Sequence, residues 1–231
     1  MGGMGGKEKY RMYRFVYESE SKRYRNACSR TLKETRSLLI EESIVTQFTL
    51  IGSGAKNMIT RNGDGPFDLD YNLEIIKAPS FYWNDLQHLK NIVRITLDRA
   101  AKSFHFSESQ DSTSCLTALL HFKDETAVDF HFDVAITAKN SDGTLCRLIH
   151  NKNAWGLGFD QYVWNEVPNS HDVSKKVAQI KSSGLWLEVR DRYIHLKNLY
   201  LSCPRDKDHP SFVVYIEAVN QIYNQYFCNR Q

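Results

Sequence analysis

Two aspartates one residue apart stand in the segment Phe67-Asp68-Leu69-Asp70-Tyr71. In an extended strand successive side chains point to opposite faces with a rise of about 3.3 Å per residue, so these carboxylates share a face with Cα atoms roughly 6–7 Å apart. Two carboxylates so placed can converge on one hard cation. Magnesium takes only one or two protein carboxylates and completes its shell with phosphate and water oxygens. Two such ions about 3.5–4 Å apart clamp the attacking and leaving oxygens of an in-line displacement at phosphorus. Upstream lies Gly52-Ser53-Gly54. Glycine lets the backbone approach a phosphate with no Cβ in the way. Successive N–H groups in such a turn form an anion-binding hollow, and the Ser53 hydroxyl adds a donor. A phosphate cradle beside a carboxylate pair is what transfer from a nucleoside triphosphate requires.

A third acid is available downstream. Within 126–137, Val128, Phe130, Phe132, Val134 and Ile136 alternate with Asp129, His131 and Asp133. Asp129 and Asp133 share a face but lie roughly 13 Å apart along a strand, so one metal cannot take both. His131 sits between them, as a partner to the acids or as an exposed or otherwise satisfied imidazole.

The elements that must hold these groups can be read from periodicity. Residues 7–42 contain no Pro or Gly and carry apolar residues at helical spacing, predicting one long helix or two shorter ones. Val45 to Ile51 is β-branched and alternating, a strand. A helical turn fits 55–61, followed by the turn cluster Asn62-Gly63-Asp64-Gly65-Pro66. Residues 67–76 alternate strictly, with Phe67, Leu69, Tyr71, Leu73 and Ile75 opposite Asp68, Asp70, Asn72 and Glu74. An amphipathic helix is expected over 84–103. Strands at 113–122 and 126–137 are joined by a hairpin at Lys123-Asp124-Glu125. Residues 140–171 read as irregular, and helices follow at about 173–201 and 211–226. The fold class is therefore α+β: a mixed β-sheet core flanked by helices, with a C-terminal helical segment. The expected division is an N-terminal helical segment at 1–44 packed on the core, a core at 45–171, and the helical segment at 172–231.

Composition narrows the setting. The chain has 231 residues, 42% hydrophobic and 25% charged, the balance of a globular protein with a packed core. A net charge of +3 is too small to mark a polyanion-binding protein. Lys7 to Arg36 holds ten Lys or Arg against four Glu, in most such cases a solvated helix face and in the minority reading a phosphate-contacting one. The five cysteines form no CxxC pair, which argues against zinc and a disulfide framework and for a reducing, cytoplasmic setting. No apolar run of about 18 residues exists, so no membrane span or membrane partner is expected. Trp155, Trp164 and Trp186 could stack on a base, though core packing explains such residues more often.

Taken in order, Leu50-Ile51-Gly52-Ser53, Phe67-Asp68-Leu69-Asp70-Tyr71 and Phe132-Asp133-Val134 resemble the nucleotidyltransferase superfamily, which includes DNA polymerase beta, poly(A) polymerases and oligoadenylate synthases. The likeness covers about 45–137. It implies that Asp68, Asp70 and Asp133 are catalytic and hold magnesium, two ions or manganese in their place, with Asp133 ahead of Asp129 as third carboxylate and general base. It implies that Gly52 and Ser53 bind the nucleotide. The 14 residues between Ser53 and Asp68 are at or just past the long end of the family's range. A fainter likeness to the poly(A) polymerase and oligoadenylate synthase branch gives Lys197, in Leu196-Lys197-Asn198, and Ser211, in Pro210-Ser211-Phe212, as further nucleotide-binding residues. Without the resemblance, these are a surface lysine and a helix N-cap. The implied reaction moves a nucleoside monophosphate from a nucleoside triphosphate to a hydroxyl acceptor with release of pyrophosphate. The acceptor stays open among an RNA 3′ end, a protein, a small molecule and a second nucleotide, as do base preference and oligomeric state. The alternative is a catalytically silent nucleotide-binding module, for instance in a toxin–antitoxin or defence pair.

Overall fold

A computed structural model of the chain describes residues 12–63, 65–120, 130–154, 156, 158–168, 171–202 and 210–228. Along the chain run β1 (Tyr13–Phe15), α1 (Glu18–Glu41), β2 (Val45–Leu50), α2 (Gly52–Ala55), β3 (Thr60–Asn62), β4 (Phe67–Lys77), α3 (Ser80–Asn84) and α4 (Leu86–Lys102). Then come β5 (Gln110–Asp111), β6 (Leu116–Leu120), β7 (Phe130–Lys139), β8 (Leu145–Ala154), β9 (Phe159–Glu166), α5 (His171–Ser182), α6 (Trp186–Ser202) and α7 (Ser211–Tyr223). The chain forms two compact units, the described residues within Val16–Ile59 and Pro66–Asn169, and those within Met1–Phe15, Thr60–Gly65 and Ser170–Gln231.

The first unit is built on a mixed sheet in the order β2-β4-β7-β6-β5. β4 and β7 run parallel at its centre, and β2 pairs antiparallel with β4. The other edge of β7 pairs with β6 over its first half and with β8 near its end, and β8 carries β9. One sheet face is apolar. Leu69, Leu73, Phe130, Phe132, Val134 and Ile136 are buried there with Tyr24, Cys28, Leu32 and Leu39 of α1 and Leu89, Val93 and Leu97 of α4. Tyr24 packs on Phe67 and Phe130 with ring centroids 4.9 Å and 4.8 Å away. Buried Thr31 and Thr35 satisfy their hydroxyls on carbonyls one turn back in α1, so they cost the core no unpaired polar group. Asp85 caps α4 by accepting from the His88 amide at 2.9 Å. With its helices on the apolar face, the sheet presents its polar face, and the acids on it, to the other side.

The second unit is an antiparallel ribbon of β1 and β3 with α5, α6 and α7. Asn198 of α6 grips the ribbon backbone, accepting from Tyr13 N at 2.6 Å and donating to Tyr13 O at 3.1 Å. α7 is tied to α6 by Tyr200–Glu217 at 2.6 Å and to α5 by Lys176–Asn220 at 2.6 Å.

The α+β class and mixed sheet match the expectation from sequence, while several local assignments change. Residues 140–171 are not irregular, because they supply β8 and β9. The turn Asn140-Ser141-Asp142-Gly143-Thr144 closes a hairpin through Asn140 N to Thr144 O at 3.0 Å, with Gly143 at φ 87°. The helical turn expected at 55–61 forms earlier, at α2, and Thr60–Asn62 is a strand. The long loop before Asp68 is spent on that strand, which explains its length. The N-terminal helix begins at Glu18, because Tyr13–Phe15 is extended against β3. The helix expected at 173–201 is broken by Gly184 at φ 73° into α5 and α6. The hairpin at 123–125, Asp129 and Trp155 lie outside the described residues. No helix among the described residues is long and apolar enough to cross a membrane.

Candidate active site

The alternation of β4 places Asp68 and Asp70 on the polar face, as period-two patterning requires. The parallel register then sets Asp70 directly beside Asp133 of β7, and Asp68 beside His131. One ligand oxygen from each of Asp68, Asp70 and Asp133 lies within 4.8 Å of the others. Hard, anionic oxygen donors at this spacing fit a divalent cation such as magnesium, which prefers carboxylates and leaves positions for water and phosphate.

Such crowding is expensive without a cation. The Asp70 carboxyl is pushed up to about 7, first by burial and then by repulsion from Asp68 and Asp133, while Arg147 and Lys56 act the other way. Burial also raises Asp133, against the hydrogen bond from Thr117. Three close carboxylates cannot all ionise cheaply, so protons and metal compete for the same oxygens.

The glycine turn is fitted to the acids. Ile51 N donates to Asp70 O at 2.8 Å and ties the end of β2 to β4. Gly52 then takes φ +60°, and a Cβ there would collide with Asp70 Oδ2 and stand 3.2 Å from its Cγ. Both the backbone angle and the lack of space demand glycine. Gly54 is closed in as tightly, since its Cβ would lie 2.9 Å from Leu50 Cδ1 and from Leu69 Cδ2. Arg25 Nη2 donates to Gly54 O at 3.1 Å and Lys56 Nζ to Gly52 O at 3.1 Å. Ser53 is half-buried in α2, and its carbonyl accepts from Met58 N at 2.9 Å.

Lys197 and Ser211 belong to the second unit, where they meet. Lys197 Nζ donates to Ser211 Oγ at 2.7 Å. The lysine is 8% exposed and its ammonium lies 4.1 Å from the Tyr13 ring centroid and 5.9 Å from that of Tyr193. The surface lysine suggested by sequence alone is therefore a caged cation. Trp164 faces Trp83 with centroids 6.0 Å apart, and Trp186 lies under Lys181, whose Nζ is 4.6 Å from the ring centroid.

Two residues near the acids escaped the sequence reading. Arg147 sits on β8, inside the stretch expected to be irregular; its Asp-Gly turn flanked by apolar residues was the available hairpin signal. Thr117 lies opposite Asp133 in the β6–β7 ladder and donates to Asp133 Oδ1 at 2.5 Å. Nothing local marks it, because the contact exists only once the two strands are in register.

No protein-family model matches the chain, and no curated protein matches it either. Solved structures do. A mutant form of the Vibrio cholerae di-nucleotide cyclase DncV superposes with a TM-score of 0.52 at 8% identity, covering 92% of this chain and 75% of that one. Escherichia coli MS115-1 CdnC with ATP gives 0.50 at 15% identity, over 90% and 61%. Vibrio cholerae DncV described as a cyclic AMP-GMP synthase gives 0.50 at 9% identity, over 83% and 63%. The chain thus spans 61% of the CdnC chain's length. Sheet topology, the clustered acids and these superpositions agree that the chain has the fold of the nucleotidyltransferase superfamily.

Proposed function

We propose that the chain is a metal-dependent nucleotidyltransferase that moves a nucleoside monophosphate from a nucleoside triphosphate to a hydroxyl acceptor. The observation carrying this reading is the convergence of Asp68, Asp70 and Asp133 within 4.8 Å beside a turn that only Gly52 can make. Asp68, Asp70 and Asp133 would hold magnesium, two ions or manganese in their place, which would supply charge neutralisation at the phosphates and the attacking oxygen. In the reaction, the acceptor oxygen bonds to the α-phosphorus, the bond from that phosphorus to the α–β bridging oxygen breaks, and pyrophosphate leaves. Asp133, as the third carboxylate, takes the hydroxyl proton. The Gly52 and Ser53 amides and the Ser53 hydroxyl donate to triphosphate oxygens. Lys197 and Ser211 form a cation–hydroxyl pair of the second unit suited to phosphate oxygens as well. Most of the rate advantage comes from positioning and fixed charge, as for phosphoryl transfer in general.

The test is titration calorimetry with ATP, GTP, CTP and UTP in magnesium, paired with pyrophosphate release, on the wild type and on Asp68→Ala/Asp70→Ala. Metal-dependent binding of at least one triphosphate, lost in the double variant, is expected. Equal binding by both proteins, or none by the wild type, overturns the reading. Binding without pyrophosphate release over long incubation replaces it with the silent binding module.

A further inference from the structure

We propose that Thr117 is a positioning residue for Asp133, fixing which of its oxygens is presented to the other two acids. The inference rests on reading those acids as a metal site.

Thr117 and Asp133 are direct partners across β6 and β7, on the same face of the sheet. The Thr117 hydroxyl donates to Asp133 Oδ1 at 2.5 Å. A hydroxyl has one proton, and an ionised carboxylate only accepts. The Thr117 proton is therefore committed to Oδ1, which holds that oxygen toward β6. On the other side Cys115 Sγ lies 3.6 Å from Thr117 Oγ1. The Cys115 side chain also hydrogen-bonds Asp133 itself, so Thr117 and Cys115 hold the carboxyl together. Ser112 Oγ, 3.1 Å from the same sulfur, donates to Cys115 O at 2.9 Å and accepts from Cys115 N at 3.1 Å. Ser112, Cys115 and Thr117 thus form a hydrogen-bonded chain that ends on the third carboxylate.

The start of this chain is bolted down from three other elements. Lys90 of α4, 2% exposed, donates to Ser112 O at 2.9 Å and pairs with Asp111 at 2.5 Å. The amide of His150 in β8 donates to Thr113 O at 2.8 Å. The His150 ring, 4% exposed, lies between Asp111 Oδ2 at 2.9 Å and Asp160 Oδ2 of β9 at 2.8 Å. Tyr162 stacks on that ring with centroids 4.2 Å apart. The chemistry proposed above uses none of these groups. Their place is accounted for as the mount of the β5–β6 turn, from which β6 carries Thr117 to Asp133. Hydrogen bonds of this kind, one step removed from a metal, orient the ligand and typically change metal affinity or activity by 10–100-fold when lost.

The experiment uses the full chain and manganese alone, titrated with loss of the free-ion electron paramagnetic resonance signal as readout. Thr117→Val keeps the β-branched shape and removes the hydroxyl, and Thr117→Ser keeps the hydroxyl. We expect the valine variant to bind manganese about tenfold more weakly and the serine variant to restore most of the affinity. In pyrophosphate release the loss falls on half-saturation by magnesium, with KM for the triphosphate unchanged. Thr117→Ala is the second variant if valine impairs folding, with the same expected loss. Wild-type affinity in a folded valine or alanine variant overturns the proposal and leaves the metal site intact. Equal manganese binding by wild type and Asp70→Asn overturns the metal reading itself and this proposal with it.

Discussion

Asp70→Asn in the metal-free chain separates what the acids do for stability from what we propose they do for chemistry. The Asp70 carboxyl stands at about 7 against an ordinary 3.8. Between those values the folded chain keeps a proton that the unfolded chain has released, so stability falls as pH rises through this window and levels off above about 7. At 1.36 kcal/mol per pH unit, the ionised carboxylate destabilises the fold by about 4 kcal/mol at pH 8. Asparagine carries no charge at any pH and is close in shape, so most of that penalty disappears. The assay is urea unfolding in a chelator across pH 4 to 8.5. The variant should match the wild type near pH 4 and exceed it by about 2–4 kcal/mol at pH 8. Saturating magnesium should reverse the order, because a ligand stabilises only the chain that binds it. A stability gap that is constant across pH would refute the reasoning, as would a wild type more stable than the variant at pH 8 without metal.

Gly52→Ala should cost about 1–2 kcal/mol in urea unfolding for the left-handed backbone alone. It should also weaken manganese binding, because the new Cβ displaces the Asp70 carboxylate. Lys90→Met should cost about 1–3 kcal/mol by the same measurement, since it removes the ion pair to Asp111 and the donor to Ser112 O while His150 still holds Asp111.

Some of this was legible in local sequence because its cause is local. A side-chain period of two decides that Asp68 and Asp70 share a face whatever surrounds the strand, and the same rule puts Asp133 on the polar side of β7. Gly52-Ser53-Gly54 announces a break because no other residue tolerates its backbone angles so cheaply. The long apolar periodicity of α1 and α4 reflects a face that must be buried somewhere. The α+β class follows from the order of such segments.

What the sequence did not carry is how distant segments register against each other. Alternation leaves Asp129 and Asp133 equivalent as third acids, and the family resemblance, not the pattern, ranked Asp133 first. The pairing of β4 with β7 puts Asp133 beside Asp70, and no local rule sets that register. Arg147 and Thr117 belong to the same class, reaching the acids only after β8 and β6 have found the edge of β7. Lys197 changes from a surface lysine to a caged cation because Tyr13, far away in sequence, lies over it. Sequence determined the chemical type of each group and the strand face it occupies, since both are properties of a few consecutive residues. Tertiary structure decided which groups meet and how strongly their charges perturb one another, since distance and burial exist only in the folded chain.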